Sequence, residues 1–96
     1  MHPLIIKPGA IGMAREAYDW YELQSKGLGE IFLAELNNCY KKIEAQPTFY
    51  SKAKKNFRQI RLKRFPYLVI YQILKSEVVV FAVFHTSRNP KSKFKE

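Results

Sequence analysis

Two strands that are apolar on both faces limit most severely what this chain can fold into. In Tyr67–Leu74, the residues Val69, Tyr71 and Ile73 alternate with Leu68, Ile70 and Leu74. In the next run, Val79, Phe81 and Val83 alternate with Val78, Val80, Ala82 and Phe84. Successive strand side chains point to opposite faces. A strand apolar on both sides therefore needs cover on both sides. A chain of 96 residues holds only one modest core. The source of the second cover is the question the sequence raises.

The first half supplies helices. From about Ala10, the residues Ile11, Ala14, Ala17, Tyr18 and Tyr21 recur at helical spacing, with Arg15, Glu16, Asp19 and Glu22 between them. Lys26-Gly27 gives a basic last turn and a glycine stop. A second stripe follows at once: Leu28, Ile31, Phe32, Leu36, Cys39, Tyr40 and Ile43, ended by Pro47. Two helices joined only through Gly27-Leu28-Gly29 are antiparallel neighbours, a helical hairpin. A tight hairpin covers one face of a sheet, and no third helical pattern follows residue 85.

Leu4-Ile5-Ile6 before Pro8-Gly9 reads as an edge strand and a turn. After Pro47 the helical period disappears. Phe57–Lys63 alternates, with Arg58, Ile60 and Leu62 on one side and Phe57, Gln59, Arg61 and Lys63 on the other. Arg64-Phe65-Pro66 turns the chain, and Lys75-Ser76-Glu77 makes the tight turn into the last strand, Val78–His85. The expected fold is α+β in the order β-α-α-β-β-β, an N-terminal helical hairpin packed on a small antiparallel sheet. It forms one domain over 1–96, with the hairpin at about 10–46, a β-meander at about 56–86 and a basic tail at 87–96. The second apolar face is closed by strand twist, by aromatic side chains or by another chain. An uncovered apolar face of that size marks an interaction site.

The net charge of +9 is unevenly placed. Residues 1–49 carry five Lys/Arg and six Asp/Glu, and residues 50–96 carry twelve and two. Seven of the thirteen residues from Lys52 to Arg64 are basic and none is acidic. Such a half meets something anionic: nucleic acid, an acidic protein, or both. The single cysteine, Cys39, permits no internal disulfide and reads as a buried inert thiol. Met1–Gly9 lacks the long apolar region of a secretory signal, and the longest apolar run is far short of a membrane span. The expectation is a soluble cytoplasmic protein. No cofactor or metal site is expected, because nothing with ligand spacing surrounds His2 or His85.

The last strand leaves the core as His85, followed by Arg88. That pair reads as catalytic, as a phosphate grip, or as a simple strand end. Tyr50 and Phe57, interleaved with lysines, are candidates for stacking on bases. Trp20 and Tyr21 read as core and rim rather than as a base-stacking platform.

The segments DWYELQSKGLGEIFLAEL, LKRFPYLVIYQI and VVVFAVFHTSRNP are similar to the helical hairpin and closing strands of RelE/ParE-type toxins of type II toxin–antitoxin systems. The likeness spans roughly residues 4 to 90. The RFPY turn, the following strand and a terminal HxxR stand at the family's separations. The resemblance implies a small basic growth-inhibiting toxin, of the kind linked to plasmid stabilisation, held silent by a cognate antitoxin. The antitoxin's C-terminal segment would pack on apolar surfaces, with Leu68, Ile70, Val80, Ala82 and Phe84 as the contact candidates.

RelE-like members cut messenger RNA on the ribosome, whereas ParE-like members bind DNA gyrase. RNA cleavage by 2′-hydroxyl attack needs a base, an acid and cations at the phosphate. His85, Arg88, Arg61 and Lys63 are the candidates for that work. The RelE-like pattern has an arginine after the tyrosine of the third strand and an aromatic hydroxyl near the C-terminus. Here Leu68 follows Tyr67, and the C-terminal aromatic is Phe94. The resemblance is therefore closer to the ParE-like branch. It implies a non-catalytic toxin with a target-binding basic edge of Arg58, Arg61, Lys63, Arg64, His85 and Arg88. The alternatives are a ribosome-dependent endoribonuclease and a non-toxic nucleic-acid-binding or interaction module.

Overall fold

A computed structural model describes residues 3–87. In chain order the elements are β1 (Leu4–Ile6), α1 (Pro8–Gln24), α2 (Leu28–Ala45), β2 (Arg58–Arg61), β3 (Tyr67–Leu74) and β4 (Glu77–His85). The expected β-α-α-β-β-β order holds. In space the strands run β1-β4-β3-β2. The β2–β3–β4 meander is antiparallel, but β1 adds to β4 in parallel, with Leu4 opposite Val78 and Ile6 opposite Val80. The sheet is therefore mixed rather than wholly antiparallel. This placement makes β4 an interior strand with a neighbour on each side, as its apolar character demands.

Helix α1 starts earlier than its apolar spacing suggests. Pro8 occupies its first turn, where a missing N–H costs nothing, so Pro8-Gly9 opens the helix instead of making a turn. Its buried side is set by Ala10, Ala17 and Tyr21. Ile11, expected in the core stripe, is 55% exposed. It borders a shallow apolar groove with Ile6, Ala14, Tyr18, Leu33 and Tyr40. Helix α2 buries Phe32, Leu36, Cys39, Tyr40 and Ile43, the stripe read from the sequence, while Ile31 stays partly open. Burial pushes the Cys39 thiol up and the Tyr40 hydroxyl up to about 12.

One carboxylate holds the helical hairpin together. Glu22 accepts hydrogen bonds from the Gly27, Gly29 and Glu30 amides at 3.1, 2.8 and 3.3 Å. Those N–H groups at the start of α2 have no intrahelical acceptor, and the helix dipole favours an anion there. Gly27 takes φ +90°, which favours glycine. At Gly29 a Cβ would lie 2.7 Å from the Tyr18 carbonyl oxygen, so a side chain would push the helices apart.

Helices and sheet meet through four aromatic rings. Tyr21, Phe32, Phe65 and Tyr67 contact one another with centroids 4.8–6.2 Å apart. Around them, Ile60, Leu62, Val69, Tyr71, Val78, Val80 and Val83 complete the helix-facing core.

The other sheet face is covered from within the chain. Phe57 and Phe81, with ring centroids 5.5 Å apart and nearly perpendicular, pack with Ile70, Ala82 and Phe84 in a second cluster. The Lys7 ammonium lies 5.4 Å from the Phe81 ring centroid. Between the Ile70–Ala82 and Tyr71–Val80 pairs the register shifts, and Phe81 is the extra residue of a bulge. A bulge inverts the alternation beyond it. Val78 and Val80 therefore face the helices, whereas Ala82 and Phe84 face away. The candidates for an open antitoxin-binding face consequently differ from expectation. Ile70, Val80, Ala82 and Phe84 are 0–2% exposed, and of the five only Leu68 is half-buried.

Substituting Gly29→Ala should lower unfolding stability by about 1–3 kcal/mol through overpacking at the helix crossing. Chemical denaturation of the variant against the parent chain measures this.

Candidate functional site

The basic residues of the expected edge do not share one role. Arg58 is a structural clamp. Its Nη1 donates to the Tyr50 carbonyl at 2.7 Å and to the Thr48 carbonyl at 3.2 Å. Its strand partner Tyr71 donates its hydroxyl to the Pro47 carbonyl at 2.7 Å, and burial pushes that hydroxyl up to about 12. These two side chains fasten the loop after α2, where no sheet or helix satisfies the carbonyls. An arginine used in this way cannot be told from a surface cation in the sequence, because its acceptors are backbone atoms.

Arg64 is also engaged. Glu35 of α2 accepts from the Arg64 Nε at 3.1 Å, from the Arg64 amide at 3.0 Å and from the Lys63 amide. Burial alone would raise this carboxyl, but the Arg64 and Lys63 hydrogen bonds outweigh it and hold Glu35 below its ordinary value. One side chain thus pins the β2–β3 loop to α2.

Arg61 and Lys63 remain. They border a concavity of about 460 Å³ together with Asn37, Asn38, Lys41 and Lys42 of α2. Among the described residues no carboxylate pairs with Arg61, Lys41, Lys42 or the Lys63 ammonium. Three of these four residues are exposed and Lys42 is half-buried. The lysines and asparagines of α2 were absent from the expected edge. Their signal was available: Asn37, Asn38 and Lys41 lie between the buried positions Leu36, Cys39, Tyr40 and Ile43, on the outward side of the helix. What the sequence does not supply is the neighbour that this outward side meets.

His85 stands elsewhere. It borders a smaller notch with Glu16, Trp20 and Tyr67, on the α1 side, and shares no lining residue with the Arg61–Lys63 concavity. Its ring packs edge-on against Tyr67 at 5.2 Å, and its Nδ1 accepts from the Ser87 amide at 3.1 Å. The candidate catalytic set is thereby divided, with His85 apart from Arg61 and Lys63. Arg88, the last member of that set, lies outside the described residues, as do Phe94 and His2. Tyr21 is core and Trp20, 45% exposed, is rim. Phe57, read as a stacking candidate beside Tyr50, is buried in the second cluster, and Phe49 takes the exposed position at 72%.

A helical hairpin laid on a four-stranded sheet, with cations gathered where α2 meets the β2–β3 loop, defines a small basic α+β protein. Residues 4–90 match the family described as ParE toxin of type II toxin–antitoxin system, parDE, and the chain belongs to that family. Among solved structures, a chain of the chromosomal ParDE toxin–antitoxin system from P. aeruginosa is similar to it. The TM-score is 0.69 at 14% identity, over 88% of this chain and 96% of that one. No curated protein sequence matches the chain. No described helix is long and apolar enough to cross a membrane.

Glu35→Gln should cost about 1–2 kcal/mol at neutral pH, since charge-assisted hydrogen bonds to two amides and a guanidinium are weakened. The carboxyl is held low in the folded state. Its contribution is therefore present above the unfolded carboxyl value of about 4.3 and lost as pH falls through the folded value. Denaturation midpoints of parent and variant should differ at pH 7 and converge in acid, as pH falls through the lowered folded value.

Proposed function

We propose that this ParE-family chain is the toxin of a two-component module, arresting growth in the cytoplasm by binding DNA gyrase until a cognate antitoxin covers it. The observation that carries the reading is the concavity of cations without an ion pair among the described residues, Arg61, Lys63, Lys41 and Lys42, next to the pinned Arg64. It is suited to gripping an acidic macromolecular surface. The separation of His85 from these cations favours binding over acid–base chemistry at a phosphodiester.

Expression of the chain without its antitoxin should arrest growth and induce DNA damage, and the purified chain should inhibit supercoiling by gyrase. Reversing charge at Arg61 and Lys63 together should weaken that inhibition by at least tenfold, while leaving the melting temperature within a few degrees. Growth that continues unaffected would sink the toxin reading. Discrete cuts in translated messages, with supercoiling intact, would replace gyrase by the ribosome as target.

The antitoxin's apolar segment needs open apolar surface, and the groove formed by Ile6, Ile11, Ala14, Tyr18, Leu33 and Tyr40 offers it. Ile11→Glu places a charge there at a residue already half in solvent. It should raise the antitoxin dissociation constant by tenfold or more in calorimetric titration, with toxicity retained.

A further inference from the structure

We infer that the chain binds single-stranded nucleic acid across its β2 edge, stacking a base on Phe49 and holding the backbone on Arg61 and Lys63. Two independent observations meet at one residue. Arg61 borders the cationic concavity of Lys41, Lys42 and Lys63, and it also borders a second concavity formed with Phe49, Tyr50, Gln59 and Leu68. The first is suited to phosphates. The second is suited to an unstacked base, because it offers an aromatic face and a guanidinium plane. Phe49 is 72% exposed and packs edge-on against Tyr50 at 5.0 Å. The buried Gln59 Oε1 has no hydrogen-bond partner among the described residues. The presenting loop is fixed rather than free: Arg58 holds the Thr48 and Tyr50 carbonyls and Tyr71 holds that of Pro47, on either side of Phe49.

Such a large apolar ring displayed on a fastened loop beside unpaired cations matches the stacking-platform-plus-basic-groove arrangement of single-strand binders. A duplex keeps its bases stacked inside and offers Phe49 no partner, and an acidic peptide offers charge without a π-face. The inference concerns binding alone, goes beyond the toxin reading and does not rest on it.

The test is fluorescence anisotropy of the purified full chain with labelled 12-mer oligo-dU and oligo-U, and with a duplex of the same length. Both single strands, or either one, should bind more tightly than the duplex. A difference between them names the sugar the patch accepts. Phe49→Ala should weaken single-strand binding about tenfold, the effect of one lost stacked base. Leu23→Ala, which removes an exposed apolar side chain from α1, should change nothing. Reversing charge at Arg61 and Lys63 should flatten the salt dependence by about one to two log units per log unit of salt. A Phe49→Ala chain that melts and binds like the parent would overturn the inference. So would a duplex bound as tightly as single strands, or polyglutamate displacing the oligonucleotide at equal charge.

Discussion

The contact of Tyr21 and Phe32 with Phe65 and Tyr67 is the interaction on which the rest depends. It takes one ring from each helix, one from the β2–β3 loop and one from the first residue of β3. Aromatic pairs of this geometry contribute about 0.5–1.5 kcal/mol each beyond the area they bury. More important is what they locate. Phe65 anchors the loop whose preceding residues are Lys63 and Arg64, and Glu35 ties the same two residues to α2. Core and surface are thus one construction: the ring cluster fixes the loop, and the loop fixes the cations.

The electrostatics point the same way. A chain of net charge +9 could pair its cations with its eight acidic residues. Two of those carboxylates serve backbone amides, Glu22 those that start α2 and Glu35 those of Lys63 and Arg64, and of the cations Glu35 pairs only with Arg64. Among the described residues, Arg61, Lys63, Lys41 and Lys42 are left together without an ion pair, and the one carboxylate bordering them, Glu35, is already held by Arg64; such crowding of like charges raises self-repulsion.

Much of this architecture was legible in the sequence because its signals are local. The 3.6-residue stripes gave both helices, and β3 begins and ends where its β-branched and aromatic run does. What was not legible depends on pairing between distant segments. The bulge at Phe81 comes from the register between β3 and β4, so simple alternation assigned Val80 to the wrong face. The parallel seat of β1 against β4 leaves no mark in Leu4-Ile5-Ile6 itself. At the site, cations were visible as charge but not as roles. Arg58 serves carbonyls, Arg64 serves Glu35, and Arg61 is left open, although all three read alike in the sequence. Phe49 and Phe57 are likewise a pair of similar rings with opposite fates, Phe57 buried in the second cluster and Phe49 exposed on the loop before β2.

The seating of β1 also orders events in time. Leu4 lies opposite Val78 and Ile6 opposite Val80, so the first strand made by the ribosome has no place to go until the last has been synthesised. Contacts this distant in sequence form late and slowly. The helical hairpin, whose contacts are local, folds early; the sheet closes only when the far end of the chain emerges. A nascent copy therefore lacks its finished sheet until Val78–Val80 are available to pair with Leu4–Ile6.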